Sequence, residues 1–147
     1  MITRRLELTQ SIIENGFKLD KDLIGIYHIE SGTDYKTCAT RTYNDLKNTT
    51  LPSFKFYGVF EDDDLVGFFG TEDIDHGVHY VNTIFVKPEY RNRAAMKGFY
   101  KCLTDIVGNN YVTALYKKNS RAIDFYLNNN GKIMTSEQDY VIIKVGE

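Results

Sequence analysis

The chain has no tryptophan, and only two prolines and two cysteines among its 147 residues. Two cysteines cannot build the disulfide framework that staples small secreted domains. Cys38 and Cys102 fall in segments that read as different helices, which suits buried free thiols in a reducing compartment. No linker, repeat or low-complexity tract divides the chain. No apolar run approaches the eighteen or so residues that cross a bilayer, and the opening "MITRRLELTQ" lacks the apolar core of a secretory signal. The cytoplasm is therefore the expected location. Positive charge is scarce too. Eighteen Lys and Arg against twenty Asp and Glu give a formal net charge of −2, so nothing draws the chain generally to nucleic acid or an anionic membrane.

What is present suits one globular domain spanning residues 1–147. Hydrophobic residues make up 42% and charged residues 26%, with eleven Tyr and nine Phe carrying the aromatic content. A chain of this length can bury roughly 70% of its unfolded surface and needs no staples.

The first third reads as helical. Residues 4–15 predict a helix stopped by Gly16, and Asp20 offers the cap of a second, with Leu23, Ile26 and Tyr27 spaced for it and Gly32 as its stop. Asp34 can cap a third, whose apolar face is Tyr35, Cys38, Ala39, Thr42, Tyr43 and Leu46. After "NTTLPS" the period changes to two. Phe54, Phe56, Gly58 and Phe60 alternate with Lys55, Tyr57 and Val59 as in a strand. "EDDD" reads as a turn, 65–71 as a second strand, "EDIDHG" as another turn and 79–86 as a third strand, together an antiparallel meander.

Next comes a helix with Ala95, Phe99, Cys102, Leu103 and Ile106 on one face, ended by "GNN", and then the apolar strand "YVTALY". Strand, helix and strand at this spacing make a right-handed crossover between parallel strands. Asn119 or Ser120 caps a last short helix with Ala122, Phe125 and Tyr126 inward, "NNNG" stops it, and a hairpin closes the chain. The expected fold is a mixed α/β layer, mostly antiparallel with a single parallel crossover and a helical N-terminal segment. It is not a doubly wound sheet.

Two segments carry a family resemblance. "VKPEYRNRAAMKGFYKCL" resembles the acyl-CoA-binding segment of the GNAT superfamily of N-acetyltransferases, where a strand ending Val-x-Pro-Glu-Tyr-Arg enters a helix through Arg/Gln-x-x-Gly-x-Gly/Ala. "NSRAIDFYLNNNGKI" resembles that superfamily's later segment, Asn-x-x-Ala-x-x-Phe-Tyr-x-x-x-Gly-Phe, through Asn119, Ala122, Phe125, Tyr126 and Gly131, with one extra residue before the glycine. The match covers about residues 54–145 in order, whereas the family's opening strand is not evident. The resemblance implies the GNAT fold, acetyl-CoA as acyl donor and an amine as acceptor. It implies that backbone groups of Ile84, Phe85 and Val86 hold the pantetheine, that Arg91, Asn92, Arg93, Ala94, Ala95 and Met96 form the pyrophosphate turn, and that Asn119 contacts the CoA arm. Tyr126 takes the place of the acid that protonates the leaving thiolate.

The physical logic agrees with this carry-over at the turn. A helix start offers N–H groups and a positive dipole end to phosphate, and arginines add charge-assisted hydrogen bonds. Ala94 and Met96 replace the pattern's glycines, and the Met96 side chain is expected to project over the pyrophosphate path. Gly98 either relieves that crowding or lets the helix pack closely.

Amide formation also needs a base for the amine and donors for the oxyanion. Many members of the superfamily carry a Glu on the strand before the cofactor turn. Here the inward set reads Tyr80, Asn82 and Ile84, so Asn82 stands with Tyr126 as a candidate catalytic residue. Glu72, Asp73, Asp75, His76 and His79 cluster in what reads as a solvated turn and could act directly or through water. His76 and His79 on a turn and strand do not share a side reliably, so no metal site is expected. "EDDD" could favour a cationic acceptor but has the composition of an ordinary turn. Lys117, Lys118 and Arg121 fit either the 3′-phosphate of CoA or a wet surface. The alternatives to an acetyltransferase are a catalytically inactive module of the same fold and an enzyme with a different acyl donor.

Overall fold

In a computed structural model the described residues are 1–19, 35–49, 52–75, 77–117 and 119–146. Strand β1 (Ile2–Leu6) leads to helices α1 (Gln10–Leu19) and α2 (Tyr35–Thr49), then to the meander β2 (Lys55–Glu61), β3 (Asp64–Asp75) and β4 (Val78–Val86). A 3-10 turn (Pro88–Tyr90), α3 (Arg93–Val107), β5 (Tyr111–Tyr116), α4 (Ser120–Leu127) and the hairpin β6 (Gly131–Ser136) with β7 (Tyr140–Val145) follow. Among the described residues the strands form one seven-stranded sheet in the order β1-β2-β3-β4-β5-β7-β6. Every neighbouring pair is antiparallel except β4 and β5.

The N-terminal end departs from the helical expectation. Residues 2–6 form an edge strand, paired from Ile2↔Phe60 to Leu6↔Phe56, and this is the opening strand that the sequence pattern conceals. Arg4 and Arg5 would oppose the dipole at a helix start. In the strand their guanidinium carbons lie 4.8 Å from the Phe60 ring centre and 5.8 Å from that of Tyr57. The helix begins later, with the Thr9 hydroxyl accepting from the Ile12 N–H at 3.3 Å, and it continues through Gly16. Burial of Ile13 outweighs the modest cost of a glycine inside a helix. The helix expected between Asp20 and Gly32, and the Asp34 cap, lie outside the described residues.

The sheet is covered on both faces. Val59, Val66, Phe69, Val81 and Val86 pack with Phe99, Leu103 and Tyr126 of α3 and α4. Phe56, Phe68 and Phe85 pack on the other face with Ile13, Ala39 and Leu46 of α1 and α2.

Two details of β4 position everything that follows. Its register with β3 runs from Phe68↔Phe85 to Gly70↔Asn82, so β4 uses three residues where β3 uses two. This bulge places Asn82 and Phe85 on the α1/α2 face and sends Ile84 to the opposite core, against the simple alternation of Tyr80, Asn82 and Ile84. The second detail is the shortness of the parallel ladder. It consists of His79↔Tyr111, Tyr80↔Val112 and Val81↔Thr113, and beyond it β4 and β5 part. At the last pair the buried Thr113 hydroxyl donates to the Val81 carbonyl at 2.9 Å.

Thr113→Val keeps the shape of the side chain and strands that buried carbonyl, which should cost about 1–3 kcal/mol. Thermal unfolding should show Tm lower by roughly 3–10 °C, with Thr113→Ser recovering most of the loss. A Thr113→Val protein as stable as the parent would show that the hydroxyl does not hold the end of the ladder.

Candidate active site

Because β4 and β5 are parallel and each is followed by a helix, α3 and α4 both start at the end where the strands part. The result is a slot between the two strands, bordered by β4 past Val81 and flanked by two helix N-termini. A slot of this kind can take an extended chain with amide groups along its length and an anion at its mouth.

The mouth is built by the turn after β4. Lys87 N–H donates to the Val66 carbonyl at 2.8 Å, and Arg91 Nε donates to the Val86 carbonyl at 2.9 Å. The Arg91 guanidinium carbon also lies 5.9 Å from the Phe85 ring centre, so this residue holds the end of β4 as well as bringing charge there. Asn92 is the cap of α3, its side chain accepting from the Ala95 N–H at 2.9 Å. Arg93 and Ala94 are exposed in the first turn of the helix. Met96 does not cover the mouth. It shares a helical face with Phe99, Tyr100 and Leu103 and packs into the core beneath. Gly98 serves another purpose than either expected. A Cβ there would lie 3.0 Å from the Met1 sulfur, so the glycine makes room for the chain's first residue on α3. At the second helix start the Asn119 side chain caps α4, accepting from the Ala122 N–H at 3.4 Å.

Tyr126 is 1% exposed. Its hydroxyl donates to that of Tyr100 on α3 at 3.2 Å, and its ring meets those of Tyr100, Tyr111 and Phe125 edge to face. Burial pushes the Tyr126 hydroxyl well above its ordinary range, and the neighbouring tyrosines add to the shift. Burial also raises Tyr111, and raises Tyr100 to about 12. Gly131 stands against this cluster: a Cβ there would lie 2.5 Å from the Tyr126 carbonyl oxygen.

The acidic cluster is not a turn. β3 continues to Asp75, with Glu72 opposite Tyr80 and Asp73 opposite His79. Glu72 is 8% exposed and accepts from Asn82 Nδ2 at 2.8 Å. Asp73 is exposed and pairs with His79 Nδ1 at 2.7 Å. His76 lies outside the described residues, and among the described residues no three His, Cys, Asp or Glu side chains converge as a metal site. "EDDD" caps the far end of the β2–β3 hairpin. From Asp64 to Gly70, the partner of Asn82, the strand rise amounts to about 20 Å, so that run is remote from Asn82. Sequence reasoning named Glu72 with its neighbours as a possible base but placed it in a turn, whereas it lies on β3, where alternation carried past Thr71 would have put it.

A parted parallel pair between two helix starts is the architecture of an acyl-CoA-dependent transferase, and the family comparison agrees. The chain belongs to the acetyltransferase (GNAT) family, which it matches over residues 22–131. No curated relative matches it. Among solved structures it is similar to an acetyltransferase from Thermus thermophilus, at 11% identity and TM-score 0.69, over 98% of this chain and 96% of that one. It is also similar to the PaiA N-acetyltransferase of Thermoplasma acidophilum in complex with coenzyme A, at 17% identity and TM-score 0.64, over the whole of both chains. A third neighbour is the Vibrio cholerae spermidine N-acetyltransferase in complex with CoA and spermine, at 13% identity and TM-score 0.65, over 97% and 93%. At these identities the likeness is one of fold.

The tyrosine cluster makes alkaline titration diagnostic. Below pH 10 folded and unfolded chains both keep these protons. Between pH 10 and about 12 the unfolded chain loses the Tyr100 proton while the folded chain holds it, so stability falls as pH rises through that window. Ultraviolet titration should show Tyr100, Tyr111 and Tyr126 ionising only as the protein unfolds. Ionisation of all eleven tyrosines near pH 10 with the fold intact would contradict the buried cluster.

Proposed function

We propose that this chain transfers an acetyl group from acetyl-CoA to a primary amine in the cytoplasm, with the donor's pantetheine arm lying along β4 beyond its last pair with β5. The observation that carries this reading is the three-pair β4–β5 ladder closed by Thr113, with two helices starting where the strands part. Backbone groups of Ile84, Phe85 and Val86 pair with the arm as a third strand would. The pyrophosphate meets Arg91, Arg93 and the first turn of α3, where Asn92, Ala94, Ala95 and Met96 supply backbone, and Asn119 meets the arm from α4. The neighbours solved with coenzyme A support this choice of donor.

Asn82 is the first β4 residue past the pairing with β5, which supports reading it as the residue beside the reacting carbonyl. Tyr126 keeps its proton at neutral pH and gives it to the thiolate when the arm is seated. That step requires its hydroxyl to exchange Tyr100 for the sulfur. Two observations favour the second reading, an inactive module of the same fold. The Tyr126 hydroxyl is sealed among tyrosines, and the Asn92 side chain already occupies the Ala95 N–H.

Ligand binding separates the two. Acetyl-CoA at ~100 times its dissociation constant should stabilise the fold by about 2.7 kcal/mol, which raises Tm by roughly 5–10 °C. Arg91→Glu should abolish most of that shift while leaving a folded protein. Absence of any shift with acetyl-CoA and with CoA would establish the inactive module instead.

A further inference from the structure

The geometry points to β6 as the strand on which a second copy of this chain docks, the two β6 strands running antiparallel about a two-fold axis so that two sheets become one. Among the described residues β6 pairs with β7 alone, and its outer edge is open. Ile133 and Met134 on this strand are 49% and 55% exposed, and Leu127 at the end of α4 and Tyr140 at the start of β7 are exposed as well. An open edge presents unpaired N–H and C=O groups, and apolar side chains beside it make it a template for another strand. β7 stands between β6 and β5, so a copy docked there leaves the slot clear whether or not the chain transfers an acyl group.

Charge and register choose the occupant. Gly131 and Ile133 oppose Val145 and Ile143, which belong to the core beneath α3 and α4, so Lys132 between them lies on the other face. The register then steps from Ile133↔Ile143 to Thr135↔Ile142, which leaves Met134 as the extra residue of a bulge. Ser136 opposes Val141, and the Glu137 N–H donates to the Tyr140 carbonyl at 2.9 Å, which carries the alternation one residue further. Lys132 and Glu137 therefore share a face, although in a regular strand residues five apart would point to opposite sides. Both are exposed.

A two-fold axis perpendicular to the sheet keeps every residue on its own face, so only residues of the same face can oppose one another across it. With the axis between Met134 and Thr135 this condition holds along the strand. Lys132 of each copy faces Glu137 of the other, Ile133 faces Ser136, and the two Met134 side chains flank the axis. The strand is thus complementary to itself in charge as well as in shape, and the ion pair occurs twice per dimer. The opposite edge of the sheet behaves differently. Centred pairing of β1 with its own copy sets Arg4 against Arg4, and like charges directly opposed disfavour it.

Sedimentation of the full chain over a concentration series reaching roughly 100 μM should show a monomer–dimer equilibrium. Lys132→Glu turns two attractions per dimer into repulsions and should raise the dissociation constant at least about tenfold, as should Glu137→Lys. The double variant Lys132→Glu, Glu137→Lys restores opposite charges and should return the constant to within about threefold of the parent. Met134→Glu places two carboxylates at the axis and should leave a monomer with unchanged circular dichroism, because the position is exposed in the single chain. A parent chain monomeric throughout the series overturns the proposal. So does a dimer that Met134→Glu and Lys132→Glu leave intact, or a double variant as weak as the single ones.

Discussion

The hydroxyl of Thr113 takes the carbonyl of Val81, and with that bond the parallel ladder between β4 and β5 ends. A buried carbonyl at the end of a ladder needs a hydrogen-bond partner. The threonine supplies one from its own side chain while its methyl group stays in the core. The strands can then part inside the molecule without leaving an unsatisfied group at the apex. The slot and the alignment of two helix starts beside it both follow from where that pairing stops.

Beyond the apex, β4 is held by its other neighbour and by the turn that follows it. The bulge opposite Phe68 and Gly70 lies in the stretch that has lost β5, where an extra residue costs no parallel hydrogen bonds. Arg91 fixes the far end through the Val86 carbonyl. This gives Arg91 two duties, as structural tether and as positive charge near the mouth. Asn92 has a comparable duality. It caps α3 through the Ala95 N–H, one of the groups a helix start would otherwise offer to an anion. A phosphate seated there would exchange one acceptor for another and keep the helix capped in both states.

Much of this was legible in the sequence because the local signals agreed with one another. The meander, the crossover helix, the apolar β5 and the final hairpin were all announced by period and by punctuation. Asn119 was readable as a cap and does cap α4. What was concealed had signals in conflict. The pair Arg4 and Arg5 looked like helix surface, whereas their aromatic partners Phe60 and Tyr57 arrive only through pairing with β2. Residues 72–75 have the composition of a turn, yet β4 lies alongside and draws them into the sheet. Met96 looked obstructive when laid on a linear pattern. Helical spacing places it with Phe99, Tyr100 and Leu103, where burial decides its direction. Only for the two arginines was the deciding partner distant in the chain.

The bulge also explains why a carboxylate on this face would come from β3. On β4 the described side chains turned toward α1 and α2 are Tyr80, Asn82 and Phe85, and Phe85 is 4% exposed beneath those helices. The positions of β4 next to the apex therefore carry a phenol and an amide, and the nearest route to a negative charge is across the ladder. Glu72 is opposite Tyr80 and diagonal to Asn82, a separation of roughly 7–8 Å between Cα atoms that two polar side chains can span. The amide and the carboxylate thus meet across the ladder from two neighbouring strands. The glycine at position 70 is the condition that lets them meet.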